Sequence, residues 1–328
     1  MKDRANSRQH YVPKCYLRQF TPNQKTIFIY DKKEKRSFRN SIDTIAYFDM
    51  FYELPEKYIQ NIKDLPFQTK YIEKEFFANS VENIYNQLLI KINSKAKDWI
   101  NLKKKEEILS KEEKELLSQL IAIQYLRMPN IRDKYVNAEE KALGIRSDII
   151  KSFLGNIHPE YKETLKNISI EHNHDFDPIL HSDIYTDEEL IYEMGDQLID
   201  KFWVYYVSSK NDFYTSDNPI LIKPHLTNQN SYYEGFGMRG VEIILPIGSS
   251  VLLTIWDHNY FKEMETFADA FNLINDKDKR AYNYYQYIWA NKQVYSHSDN
   301  FALIELLKKS NSGKEIFMKR LRLKINEK

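Results

Sequence analysis

Cysteine is almost missing from this 328-residue chain, with Cys15 standing alone. One thiol cannot close an internal disulfide or build a cysteine-based zinc site. Glycine (8) and proline (10) are scarce, and neither G-x-x-x-x-G-K-[ST] nor G-x-G-x-x-G occurs. Those absences exclude the glycine-rich phosphate loops of P-loop and dinucleotide-binding proteins. No apolar run approaches the roughly 18–20 residues of a membrane-spanning helix. The first ten residues, Met1 to His10, hold no apolar h-region, so export is not expected and the cytosol is the expected compartment. An excess of either charge is missing too: 48 basic residues face 47 acidic ones, a net charge of +1. A strong global footprint for nucleic acid is therefore absent, although a local basic patch is compatible with this balance.

What is present is ordinary for a globular domain. Hydrophobic residues make up 42% and charged residues 29%, which excludes wholesale disorder. The 24 tyrosines and 18 phenylalanines read as core and interface residues rather than base-stacking platforms.

The pattern along the chain predicts three subregions of a single domain over 1–328. Residues 1–60 hold a short helix opened by Pro13, with Tyr16, Leu17 and Phe20 on one face, and a β-hairpin over 26–39. Residues 61–200 read as helical. A helix over 71–92 places Ile72, Phe76, Val81, Ile84, Leu88 and Leu89 near helical spacing, and a capping box, Ser110 with Glu113, opens another helix. The stretch 155–183 reads as the least regular part, and Thr186-Asp187-Glu188-Glu189 opens a helix through about 200. Residues 201–328 read as strands over 202–207, 241–245 and 250–255, a polar loop over 223–240, and closing helices over 261–280 and 301–309. The basic tail Lys319–Lys324 is compatible with a terminal strand, and Lys103–Lys105 is a second local basic run. The fold class expected is α+β, a helical middle flanked by a small N-terminal β element and a C-terminal mixed β/α part.

Four constellations carry possible chemistry. Gln9-His10 lies just before a helix start, with Arg18 about two turns on; an imidazole there suits a base or metal ligand, and Arg18 an anion. Their plain alternative is a hydrogen-bonded turn and a solvated arginine. Gln124, Arg127 and Arg132 surround Pro129, a set suited to an anionic ligand or to ordinary ion pairs. Thr215-Ser216-Asp217-Asn218-Pro219 has the composition of a tight turn, and would project Asp217 from a strand end as hydrolytic sites require. Glu171-His172-Asn173-His174-Asp175-Phe176-Asp177 offers two imidazoles and several carboxylates for Zn²⁺ or Mn²⁺. Its spacing fits no H-E-x-x-H helix and lacks the separated ββα elements of an HNH nuclease, so a solvated loop is the expected outcome.

These landmarks together resemble a mainly bacterial family, domain of unknown function 4238. They are H-Y-V-P at His10–Pro13, Y-L-R-x-F at Tyr16–Phe20, the segment Gln124–Arg132, T-S-D-N-P at Thr215–Pro219, the strand pair over 245–255, and the Asn-containing helix over 271–290. The resemblance spans about 9–295, departing from the family pattern at Gly248-Ser249. It supplies no activity. It implies that His10, Arg18, Gln124, Arg127, Asp217 and Asn218 belong together.

The expectation from these residues is a polar pocket where the two ends of the chain meet. His10, Asp217 and Arg127 would be its catalytic residues, and Gln9, Arg18, Gln124, Arg132, Ser216 and Asn218 would bind substrate. A nuclease-like or nucleotide-processing enzyme follows, with a divalent metal compatible, as the effector of a bacterial defence or toxin system. Its partners would be nucleic acid or a nucleotide and a protein of the same system, not a membrane. The alternatives are a non-catalytic sensor and a brace between two subdomains.

Overall fold

The computed structural model describes residues 8–59, 77, 81–104, 106–226 and 235–309. The chain opens with β1 (Arg8–His10), α1 (Lys14–Arg18), the hairpin β2 (Thr26–Asp31) and β3 (Arg36–Ser41), β4 (Tyr47–Asp49) and α2 (Glu56–Ile59). Helices follow: α3 (Glu82–Leu102), α4 (Lys111–Leu126), α5 (Pro129–Ile157), α6 (Lys162–Lys166), α7 (Asp177–Tyr185) and α8 (Glu188–Ile199). Then come β5 (Phe202–Val207), β6 (Thr215–Ser216), β7 (Leu221–Pro224), β8 (Val241–Gly248), β9 (Val251–Trp256), β10 (Phe271–Leu273), α9 (Asp276–Trp289), β11 (Gln293–Ser296) and α10 (Ala302–Lys309). The fold is α+β, as the pattern predicts.

Local chemistry explains the boundaries. Ser110 accepts from the Glu113 N–H, and the Glu113 carboxylate accepts from the Ser110 N–H, closing the expected capping box on α4. Asp187 caps α8 by accepting from the Leu190 N–H. Every residue of β8 and β9 is buried, as in strands covered on both faces. Alternation then divides the side chains. Ile243, Leu245, Leu253 and Ile255 join the core with α3 and α4, whereas Ile244 and Leu252 pack toward Tyr282, Tyr285 and Trp289 of α9.

Three sheets result. β1 pairs with β4; a five-stranded sheet has the order β10-β5-β9-β8-β7; a four-stranded sheet has the order β3-β2-β11-β6. The last joins the chain's two ends. Val294 and Tyr295 of β11 lie between Tyr30 and Ile29 of β2 on one side and Ser216 and Thr215 of β6 on the other.

Several expectations need correction. The stretch 261–280 is not one helix: Asp269 takes a left-handed φ of 52°, β10 then adds parallel to β5, and Asn275 caps α9 only afterwards. The stretch 155–183 is more regular than expected, holding the end of α5, then α6 and α7. The expected loop over 223–240 begins as the end of β7, and its residues 227–234 lie outside the described residues. β8 runs on through Pro246 to Gly248, with a register shift between them. A Cβ at Gly248 would stand 1.9 Å from Asn93 Oδ1 of α3, so any larger residue there must displace that side chain. The part of the 71–92 helix before Val81, apart from Phe77, lies outside the described residues, as do Lys105 and Lys319–Lys324.

Candidate functional site

The N-terminal motif and the T-S-D-N-P turn do meet, but inside the protein. Pro13 precedes α1, whose inward face carries Tyr16 and Leu17. The Tyr16 hydroxyl lies 2.7 Å from Thr215 Oγ1 and donates to the Pro246 carbonyl at 2.5 Å. His10 is 4% exposed, Asp217 1% and Arg127 0%.

Each of these groups is occupied by the fold. The Asp217 carboxylate accepts from the N–H groups of Asn291 (2.8 Å), Lys292 (2.7 Å) and Gln293 (3.1 Å), fixing the turn between α9 and β11. Burial pushes its pKa up to about 6, against the pull of those three donors. The His10 ring lies 3.2 Å from the Ile42 carbonyl, and burial pushes it down to about 4. Arg127 donates Nε to Tyr52 Oη at 3.1 Å, Nη1 to Glu82 at 3.2 Å, and Nη2 to the His10 carbonyl, with Phe77 stacked 3.7 Å from its guanidinium carbon.

The expected solvent-accessible pocket of His10, Asp217 and Arg127 is therefore corrected: these side chains brace the interior. The assigned binding residues largely share that role. Gln124 accepts from the Tyr85 hydroxyl at 2.5 Å, Ser216 lies 2.9 Å from Gln286 Oε1, and Asn218 donates to the Trp289 carbonyl at 3.1 Å. Gln9 donates to Glu53 at 2.7 Å and accepts from the Tyr52 N–H at 2.6 Å. Arg18 alone points outward, exposed at the end of α1.

Arg132 belongs to a different place. It donates to the Phe51 carbonyl at 3.0 Å and lies 3.9 Å from Asp177. With Glu53, His174 and Asp175 it lines an open cleft of about 500 Å³ between the β4–α2 segment, α5 and the start of α7. Burial lowers its pKa, so its positive charge sits in a partly desolvated wall.

At that cleft the histidine-rich segment closes on itself. Asn173 accepts from the Asp175 N–H and turns the chain through a single turn of 3₁₀ helix, and Pro178 stands in the first turn of α7, where no N–H is needed. His172 Nε2 then lies 2.6 Å from Asp177 Oδ1, and His174 Nδ1 3.3 Å from Asp177 Oδ2. One ligand atom from each of His172, His174 and Asp177 lies within 4.8 Å of the others, the one such group among the described residues. The other nitrogen of His174 faces Glu140 at 3.3 Å. A carboxylate on the far nitrogen is how metal-bound imidazoles are commonly oriented. Asp175 turns away from the group and pairs with Lys57 and Tyr58. The segment expected as a solvated loop is thus an organised polar cluster.

The family model for a protein of unknown function, DUF4238, matches residues 8–300. This chain belongs to the DUF4238 family. No curated protein and no solved structure matches it. Most of the DUF4238 landmarks in this chain contribute residues to the brace, Arg18 and Arg132 excepted. The brace touches the cleft through one short segment, residues 51–53. Tyr52 holds Arg127, Phe51 holds Arg132, and Glu53 takes Gln9 while lining the cleft. Glu140 carried no sequence signal beyond lying about two helical turns after Arg132; its contact with His174 exists only in three dimensions.

Proposed function

We propose that the chain is a metal-dependent phosphoester-processing enzyme whose site is the cleft beside α7, not the buried meeting point of its ends. The observation that carries this reading is the grouping of His172, His174 and Asp177 beside an open cleft that His174 and Arg132 line, with Arg132 3.9 Å from Asp177. Two imidazoles and one carboxylate suit Zn²⁺ or Mn²⁺ and leave coordination positions for water and substrate. Such an ion, when bound, lowers the pKa of a bound water and polarises a phosphoryl oxygen. Arg132 supplies a planar donor fork for a phosphate or phosphodiester of a nucleotide or nucleic acid. Glu140 fixes the His174 ring. Glu53, held by Gln9 in the cleft wall, is the carboxylate placed to move a proton.

The test is metal titration by calorimetry together with hydrolysis of bis(p-nitrophenyl) phosphate and single-stranded oligonucleotides with Mn²⁺ or Zn²⁺. One ion per chain is expected, lost in His172→Ala and Asp177→Ala, and weakened about 10–100-fold in Glu140→Gln. Arg132→Ala should keep the ion and raise KM for the phosphodiester. Absence of binding, or turnover indifferent to these substitutions, overturns the reading. Binding of metal and nucleotide without turnover replaces the enzyme with a sensor.

A further inference from the structure

The 29 residues of α5 make a rod about 44 Å long at 1.5 Å per residue. Its first half is anchored, with Ile131 and Val136 buried, Arg132 lining the cleft and Glu140 against His174. Its second half is not. There only Ser147 and Gly155 are buried, and Gly155 lies against Lys162 and Leu165 of α6. Ile145, Ile149, Ile150, Phe153, Leu154 and Ile157 are all exposed, four of them between 53% and 63%. At about 100° per residue these six positions share one half of the helix circumference, opposite Ser147, Lys151 and Gly155. Nine of the nineteen exposed large hydrophobic residues among the described residues fall within 145–170, the other three being Tyr161, Ile168 and Ile170.

A face of this kind needs an occupant, because soluble proteins seldom leave so large a contiguous apolar patch in water. We infer that it is the interface of a two-fold symmetric homodimer, in which the distal half of α5 packs antiparallel on the same segment of a second copy. Three features select a second copy. The exposed apolar surface of the six α5 side chains is on the order of 600 Å², one partner's share at the lower end of a specific interface. The ridge Ile145, Ile149, Phe153, Ile157 has an i, i+4 spacing, and two such ridges interdigitate at a crossing angle of about 50°. The ridge is symmetric about residue 151, so an isologous pairing sets Ile145 against Ile157 and Ile149 against Phe153, apolar on apolar throughout. The exposed flanking charges are of both signs, Arg146, Asp148, Glu160 and Lys162, which does not suit an anionic lipid surface.

Sedimentation velocity and light scattering on the full chain over a concentration series test this. Twice the 39.4 kDa chain mass is expected at micromolar concentration. The double substitution Ile149→Glu with Phe153→Glu should give a monomer, raising the dimer Kd at least ~100-fold, with unchanged circular dichroism because both side chains are outside the core. Tyr192→Glu on α8, 58% exposed and away from α5, should leave the dimer intact. A monomeric parent chain overturns the inference, and so does a dimer that survives the double substitution or dissociates with Tyr192→Glu.

Discussion

Arg127 is the side chain on which the buried brace turns. Its guanidinium meets a hydroxyl, a carboxylate and a main-chain carbonyl supplied by Tyr52, Glu82 and His10, in a setting with no exposure of its own. Removing one partner from such a group leaves the others desolvated and unpaired, which costs more than the pair itself contributes. Arg127→Met is expected to lower unfolding free energy by about 3–5 kcal/mol in urea titration. Arg127→Lys should recover little of it, because an ammonium cannot span three acceptors held in a planar fork. A loss below about 1 kcal/mol would mean that the brace contributes no more than a surface pair. Arg132, five residues on, differs in its setting: one side of its guanidinium is fixed to Phe51 and the other opens on the cleft.

At the scale of elements, α3 shares a hydrophobic core with the five-stranded sheet and meets it at one close polar approach. Asn93 donates to the Ile247 carbonyl at 2.9 Å and to the Leu89 carbonyl at 2.8 Å, and its carboxamide occupies the place of a Cβ on Gly248. Gly248→Ala must displace that side chain and sacrifice the bond to β8, at a cost of about 1–3 kcal/mol. Asn93→Ala in the same chain removes the clash, so the double variant should be less destabilised than the sum of the two single changes, measured as a double-mutant cycle in chemical denaturation. Strict additivity would mean that the two positions do not share this contact. The capping box of α4 was legible because both halves of it lie within four residues. The Asn93–Gly248 contact was not, since its partners are 155 residues apart and Gly248 looked only like part of a turn.

For the whole molecule, burial of titratable groups sets the acid response. Burial holds His10 and His181 near pKa 4, so they stay neutral in the native state, while the unfolded chain protonates both below about 6.5. Each therefore removes stability as pH falls from 6.5 toward 4. Asp217 acts in the opposite sense, because its native pKa of about 6 exceeds the unfolded value of 3.8, and the native state takes up that proton first. Between pH 6 and 4 the unfolded chain gains two protons from this set and the native chain one. Stability should fall by roughly 1.4 kcal/mol per pH unit of acidification from these three groups. Urea titrations at pH 6.5, 5.5 and 4.5 check the sign, and His181→Gln should flatten the slope. A parent protein that becomes more stable on acidification through this range would contradict the assignment.

Periodicity and capping residues by themselves determined most of the helices, the N-terminal hairpin and the central strands, because those signals lie within a few residues of one another. The sequence also singled out four polar segments as candidates, His10–Arg18, Gln124–Arg132, His172–Asp177 and Thr215–Pro219. Only the tertiary structure decided which of them is buried and which faces solvent. It put β11 between β2 and β6 and buried His10, Arg127 and Asp217 in a low-dielectric interior, each held by a backbone or side-chain partner. It also folded the histidine-rich segment onto α5, where Arg132 and Glu140 meet it at an open surface. Residue type states which chemistry a side chain can perform; solvent access and the remaining partners, set by contacts far apart in the chain, state whether it is free to perform it.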